Sequence, residues 1–177
     1  MITPTDISLV AQVAVLGNKR AFDELIRRYQ SPVRRFFLHQ TLGDEQLSDD
    51  LAQDTFIKAY TNIGKFRGLA SFQTWLMRIA YNVFYDYTRS KKQTDDIDGI
   101  QQPSLQTSTV VGMDVYEALR LLKSEERTCI TLQLIDGYDI VGIAKITGMK
   151  EGTVKSHLSR GKEKLANYLR QNGYDRR

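Results

Sequence analysis

Three groups of side chains have types and spacings suited to binding an anionic polymer or a basic partner. The first begins in the segment NIGKFRGLAS (62–71), where Gly64 and Gly68 flank Lys65, Phe66 and Arg67. A flexible loop bearing one ring and two cations can hold an unstacked base and its phosphate. Arg78, Tyr81, Asn82, Tyr85 and Arg89 follow on one face of a helical pattern. Rings interleaved with arginines suit single-stranded nucleic acid, at roughly 1–3 kcal/mol per stacked base, and an amide such as Asn82 can read a base edge. The two tyrosines have a second reading, packing against a neighbouring helix.

The second group is Lys150, Thr153, Lys155, Ser156, Ser159, Arg160 and Lys162. From position 150 to the end there are 8 basic and 3 acidic residues. Hydroxyl and cationic side chains on one helix are the types that meet phosphates and groove edges. The third group is Asp49, Asp50, Gln53 and Asp54. A helix dipole accounts for acids in a first turn, but not for Asp54 one turn further on. This face is either solvated surface or a docking face for a basic partner helix.

Other chemistries are excluded. Cys129 is the only cysteine and lies in an apolar helical pattern, so no disulfide or cysteine-rich zinc site is expected. His39 and His157 are far apart, and no catalytic Ser-His-Asp or Cys-His set stands out. No metal, cofactor or enzymatic activity is expected. No apolar run approaches the 18 or so residues of a membrane span, and residues 1–6 carry no secretory signal. The expected location is cytoplasmic.

The elements that must position these groups are helical. Only three prolines interrupt 177 residues, and no strand-like alternation bounded by hairpin turns occurs. Residues 93–112, QTDDIDGIQQPSLQTSTVVG, are polar, with three acids and no base. They read as a flexible linker between a unit at 1–92, net charge +4, and a unit at 113–177, net charge +3. One domain with a long loop is the alternative, though so long a structureless loop is rare inside a compact domain.

In the first unit Asn18 caps a helix with Ala21, Phe22, Leu25, Ile26 and Tyr29 inward. Pro32 predicts a turn or kink, and Ser48 is the expected cap of DDLAQDTFIKAY. Ser71 opens a strongly amphipathic helix with Phe72, Trp75, Leu76, Ile79, Ala80, Val83, Phe84 and Tyr87 inward. In the second unit Asp114 starts a helix with Val115, Ala118, Leu119 and Leu122 inward. Ser124 is the expected cap of the next, which ends near Gly137. Asp139 caps a short helix closed by Gly148, and a last helix starts near Glu151 with Val154 and Leu158 inward. This is a helix-turn-helix of winged-helix-like or homeodomain-like type, with three to four helices; a hairpin used only for packing is the plainer reading.

Taken together, AFDELIRRY (21–29), DDLAQDTFIKAY (49–60), FRGLASFQTWLMRIAYN (66–82), LQLIDGYDIVGIAKITG (132–148) and EGTVKSHLSRGKEKL (151–165) resemble the alternative bacterial sigma factors of the extracytoplasmic-function (ECF) group. The match spans nearly the whole chain. It implies a dissociable promoter-specificity subunit of RNA polymerase, with sigma region 2 at 1–92 and region 4 at 113–177. The helix with Asp49, Asp50, Gln53 and Asp54 would dock on the clamp helices of the largest polymerase subunit. The loop at Phe66 and Arg67, with Asn82, would capture an unstacked base of the −10 element. The last helix would enter the major groove of the −35 element. The resemblance also implies an anti-sigma partner, often held at the membrane, although this chain does not insert itself.

Twenty linker residues span at most about 70 Å, about two turns of DNA at roughly 34–36 Å each. No tail extends far beyond the second unit, so no appended sensory domain is expected. It departs from the family pattern at Val141 and Gly142, where acids are common, at Lys150, and at Gly161, where a helix former is usual. Each interior glycine costs roughly 1 kcal/mol against alanine. A free-standing helix-turn-helix regulator is the competing reading, but it leaves the first unit without a role.

Overall fold

A computed structural model describes residues 5–95 and 110–174. Among them all regular structure is helical: α1 (Asp6–Leu16), α2 (Lys19–Gln40), α3 (Glu45–Thr61), α4 (Phe72–Asp95), α5 (Val110–Arg120), α6 (Ser124–Leu134), α7 (Ile140–Thr147) and α8 (Glu151–Gln171), with a 3-10 turn at Ile63–Lys65. No helix among the described residues is long and apolar enough to cross a membrane.

Local chemistry places most helix ends. The Asn18 side chain accepts from the amides of Arg20 and Ala21, and that of Asp139 from Gly142 at 2.7 Å. Gly148 closes α7 at φ +74°, a left-handed conformation that a side chain would strain. Ser71 accepts from the Thr74 amide at the start of α4.

Four expectations need correction. Pro32 makes no turn, and α2 continues through it from Lys19 to Gln40. Val33, Phe36 and Phe37 beyond it are fully buried, and that burial outweighs the one backbone bond that proline removes. The cap of α3 is Asp44, whose carboxylate accepts from the Leu47 amide, whereas Ser48 is buried one turn inside and donates to the Asp44 carbonyl. Ser124 is the first residue of α6, and Glu126 instead accepts from the Lys123 amide. α5 starts at Val110, before Asp114, and Val115 is 43% exposed rather than inward. Residues 96–109, most of the expected linker, lie outside the described residues; α4 includes positions 93–95, and α5 includes 110–112.

α1, α2, α3 and α4 enclose one apolar core around Leu25, Phe36, Phe37, Leu76 and Met77. α5 to α8 enclose another around Leu132, Ile143, Ile146 and Val154. The two are continuous, because α6 packs on α2 and α7 on α4. Polar side chains mark this seam. Gln40, 2% exposed, donates to Thr131 Oγ1 at 3.0 Å and accepts from Thr128 Oγ1 at 3.1 Å. Its carbonyl accepts from Arg127 Nη1 at 3.0 Å. Arg35 reaches Asp136 Oδ1 through Nε at 3.1 Å and Nη2 at 2.7 Å.

Candidate nucleic-acid and partner interfaces

The loop after α3 is shaped by Gly68, at φ +69°, and by its own aromatic ring. Phe66 is half-buried and packs edge-on against Phe72 and Trp75, with centroids 5.7 and 5.6 Å away. The loop therefore anchors Phe66 instead of presenting it freely, because three neighbouring rings bury more apolar surface together than one can alone. Lys65, Arg67 and Arg78 remain exposed around them. Together these residues line an open cavity of about 340 Å³ that also takes in Leu69, Thr74, Trp75 and Lys145. Its apolar floor and cationic rim suit a flat ring attached to a phosphate. Trp75 and Lys145 are the members that sequence reasoning missed. Trp75 falls in the helical stripe of core residues, and Lys145 lies 80 positions along the chain from Lys65.

Tyr81 and Tyr85 are neighbours, with ring centroids 6.3 Å apart. Their environments differ. Tyr85 is 53% exposed, whereas Tyr81 is half-buried, contrary to its expected place outside the core. Burial raises the Tyr81 phenol above its ordinary pKa, with smaller contributions from Glu125 and Cys129 of α6. Both tyrosines, with Arg89, line a cleft of about 240 Å³ closed on its other side by Ser124, Glu125 and Thr128. Tyr81 thus packs towards α6, while Tyr85 stays largely at the surface. Asn82 is exposed and lines neither cavity.

On α3, Asp49, Asp50, Gln53 and Asp54 are all exposed. Asp49 pairs with Arg34 at 2.6 Å, which blunts its charge, while Asp50 and Asp54 make no ion pair among the described residues. Gln53 borders a shallow apolar groove of about 400 Å³ formed by Phe22, Ile26, Phe56, Ile57 and Tyr60. Acidic and apolar surfaces adjoin there, and only the acids stood out in the sequence.

α8 displays Thr153, Lys155, Ser156, Ser159, Arg160 and Lys162 to solvent, with Lys150 exposed at its start. Val154 and Leu158 anchor the opposite face. Gly161 is buried, and a Cβ there would lie 2.6 Å from Ile130 Cγ1, so the glycine lets α8 approach α6 closely. Glu126 reinforces the contact. It is 1% exposed, and receives Lys164 Nζ at 2.7 Å and Arg160 Nε at 3.6 Å. Burial by itself raises the pKa of this carboxyl, but Lys164 and the Lys123 amide outweigh burial and hold it below the ordinary range. Gly142 also has a local reason: its amide fills the Asp139 cap, and a Cβ would sit 3.2 Å from the Tyr138 ring.

Comparisons with known proteins converge on one family. The family described as Sigma-70 region 2 matches residues 25–94, and Sigma-70, region 4 matches 112–165. The chain is 32% identical to the ECF RNA polymerase sigma factor SigM of Mycobacterium tuberculosis, over 93% of this chain and 85% of that one. It is 30% identical to SigW of Bacillus subtilis, over 87% and 91%. Among solved structures, the sigma factor RpoE of Bartonella quintana, in complex with the anti-sigma factor NepR, has a TM-score of 0.75 at 27% identity, covering 88% of this chain and 98% of that one. With both sigma-70 regions matched in chain order and relatives 30–32% identical over most of both chains, the chain belongs to the ECF RNA polymerase sigma factors.

Proposed function

We propose that this protein is the promoter-specificity subunit of a bacterial RNA polymerase, binding the core enzyme and directing initiation through contacts to −35 and −10 elements. The observation that carries the reading is the pairing, in one chain of this family, of an aromatic and cationic surface at the start of α4 with an exposed basic helix, α8. Neither surface alone serves initiation, which needs a duplex located and a strand held open.

Residues 1–92 form the region 2 domain in this reading, 93–112 the linker and 113–177 the region 4 domain. Asp50, Gln53 and Asp54, with Asp49 beside them, dock on the basic clamp helices of the largest subunit, and the adjoining apolar groove supports a helix as the partner. Lys65, Phe66, Arg67 and Arg78 receive a base extruded from the −10 element. Unstacking costs a few kcal/mol, which stacking on aromatic side chains can offset. Asn82 contacts the same strand outside the cavity, with Tyr81, Tyr85 and Arg89 further along α4. Lys150, Thr153, Lys155, Ser156, Ser159, Arg160 and Lys162 meet the −35 major groove and its phosphates.

The protein supplies recognition and carries out no bond chemistry of its own. It works in the cytoplasm beside polymerase, and a solved relative bound to an anti-sigma factor supports a sequestering partner of that kind. The test is in vitro transcription from a fragmented genomic library with purified core polymerase. Discrete start sites that require both components are expected. Sequence-specific duplex binding by the protein alone, with no new starts, would favour a free-standing regulator.

A further inference from the structure

We propose that Glu126 of α6 and His157 of α8 are positioning residues, which clamp the Arg160 guanidinium in the pose it uses on duplex DNA. The proposal rests on the reading above that α8 enters the −35 major groove.

Arg160 differs from the other cations of that face. Lys150, Lys155 and Lys162 make no ion pair or side-chain hydrogen bond among the described residues, whereas Arg160 has two partners on different nitrogens. Its Nε lies 3.6 Å from Glu126 Oε1, and its Nη2 lies 3.2 Å from His157 Nδ1. A guanidinium only donates, so Nδ1 accepts, and the neutral imidazole carries its proton on Nε2. Nη1 keeps both of its N–H groups, and the side chain stays 56% exposed. The guanidinium is a planar fork. Held at Nε and Nη2, it keeps one orientation and offers Nη1 to a phosphate or a guanine edge.

Stability alone does not call for a carboxylate at position 126. The side chain is 1% exposed, and a buried ion pair stabilises little more than an apolar group of the same volume. Lys164 Nζ, 2.7 Å from Oε2, already neutralises the charge, and the same oxygen accepts from the Lys123 amide at 3.1 Å. Oε1 is the oxygen left for Arg160. The close approach of α8 at Gly161 brings it within reach, since a Cβ on that glycine would lie 3.7 Å from the Glu126 Cβ. Arg160 and Lys164, one helical turn apart, both meet the carboxylate there. The lysines of this face have to be ordered when DNA binds, whereas Arg160 is ordered beforehand. Ordering one long side chain at an interface weakens binding by about two- to tenfold, so the clamp is worth a factor of that size.

The test uses holoenzyme assembled from this chain and purified core polymerase. Its probes are a promoter found in the transcription assay above and the same promoter with its −35 element scrambled. His157→Ala should weaken binding to the intact promoter about two- to tenfold and reduce discrimination against the scrambled one. It leaves Val154 and Leu158, which seat α8, in place. His157→Asn, whose Oδ1 stands where Nδ1 stood, should restore both. In an Arg160→Ala background His157→Ala should change neither, because its effect passes through that one partner. Glu126→Gln should also weaken binding, although removing a negative charge beside DNA would by itself tighten it. A direct readout needs no polymerase. In the free chain, NMR relaxation should find the Arg160 Nε–Hε bond more ordered than that of Arg20, which is exposed and makes no ion pair among the described residues. His157→Ala should reduce that difference. Unchanged binding and discrimination in His157→Ala, or an equal loss where Arg160 is already alanine, would overturn the proposal, as would a wild-type Arg160 as mobile as Arg20. If the function reading fails, wild-type holoenzyme gives no promoter-dependent starts while Arg160 is still ordered. If the clamp fails, those starts persist and the His157 variants match wild type.

Discussion

Gly161→Ala should destabilise this protein, although helix propensity says the opposite. In an exposed helix interior the substitution gains about 1 kcal/mol. At this position the new Cβ would lie 2.6 Å from Ile130 Cγ1 and 3.1 Å from Cδ1. Ile130 is 2% exposed, and its Cγ1 is close to the backbone of α6, so no swing of a side-chain tip relieves the contact. α8 must move away from α6, and overpacking of that kind costs about 1–3 kcal/mol. The net expectation is a loss of about 1 kcal/mol, read as a lower urea midpoint at unchanged slope by far-UV circular dichroism. Ile130→Ala removes both offending atoms. In that background Gly161→Ala should become stabilising by about 1 kcal/mol, a coupling near 2 kcal/mol between two touching residues. A higher midpoint for Gly161→Ala in the otherwise native chain would refute the argument, because α8 would then not need the glycine to seat against α6.

Asp50→Arg with Asp54→Arg should abolish co-purification with core polymerase and leave thermal stability within about 0.5 kcal/mol, since both positions are exposed; normal co-purification would remove the docking assignment. Lys155→Ala with Arg160→Ala should reduce −35-dependent transcription while core binding persists. The salt dependence of duplex binding should flatten by up to about 1.8, at roughly 0.9 for each phosphate no longer neutralised, and an unchanged slope would place both side chains off the DNA. Glu126→Gln weakens the tie of α8 to α6 and should cost about 1–2 kcal/mol at pH 7, the partly exposed Lys164 limiting the loss through solvent screening. The folded carboxyl titrates below its ordinary value of 4.5, so its contribution is present above that value and fades as pH falls through the folded one. The gap between variant and wild type should therefore close in acid, and a gap that is the same at pH 7 and pH 3 would discount the ion pair.

Much of this molecule is legible in one dimension because its determinants are local. A capping side chain acts on amides two or three residues away, which is why Asn18 and Asp139 are readable as helix starts. A helical stripe such as Phe72, Leu76, Ala80, Val83 and Phe84 repeats with the turn of the helix, and all five are buried. Ser48 and Ser124 show the limit: both have a cap's chemistry, yet acids beside them do the work, Asp44 at the helix start and Glu126 reaching back to the Lys123 amide. Pro32 shows another, since a local preference for a break gives way to the burial of three residues beyond it.

Composition and spacings within a few turns suffice for an all-helical chain, a helix-turn-helix and the residue types of each candidate surface. Packing in three dimensions adds what they leave open. It holds Phe66 between Phe72 and Trp75, and it half-buries Tyr81 while leaving Tyr85 exposed. It makes Gly161 a necessity of the α6–α8 approach, and it brings Gln40 to Thr128 and Thr131 some ninety residues away. The periodicity of a helix tells which side chains share a face, but the occupant of that face is chosen by packing between segments distant in the chain, which no local spacing encodes.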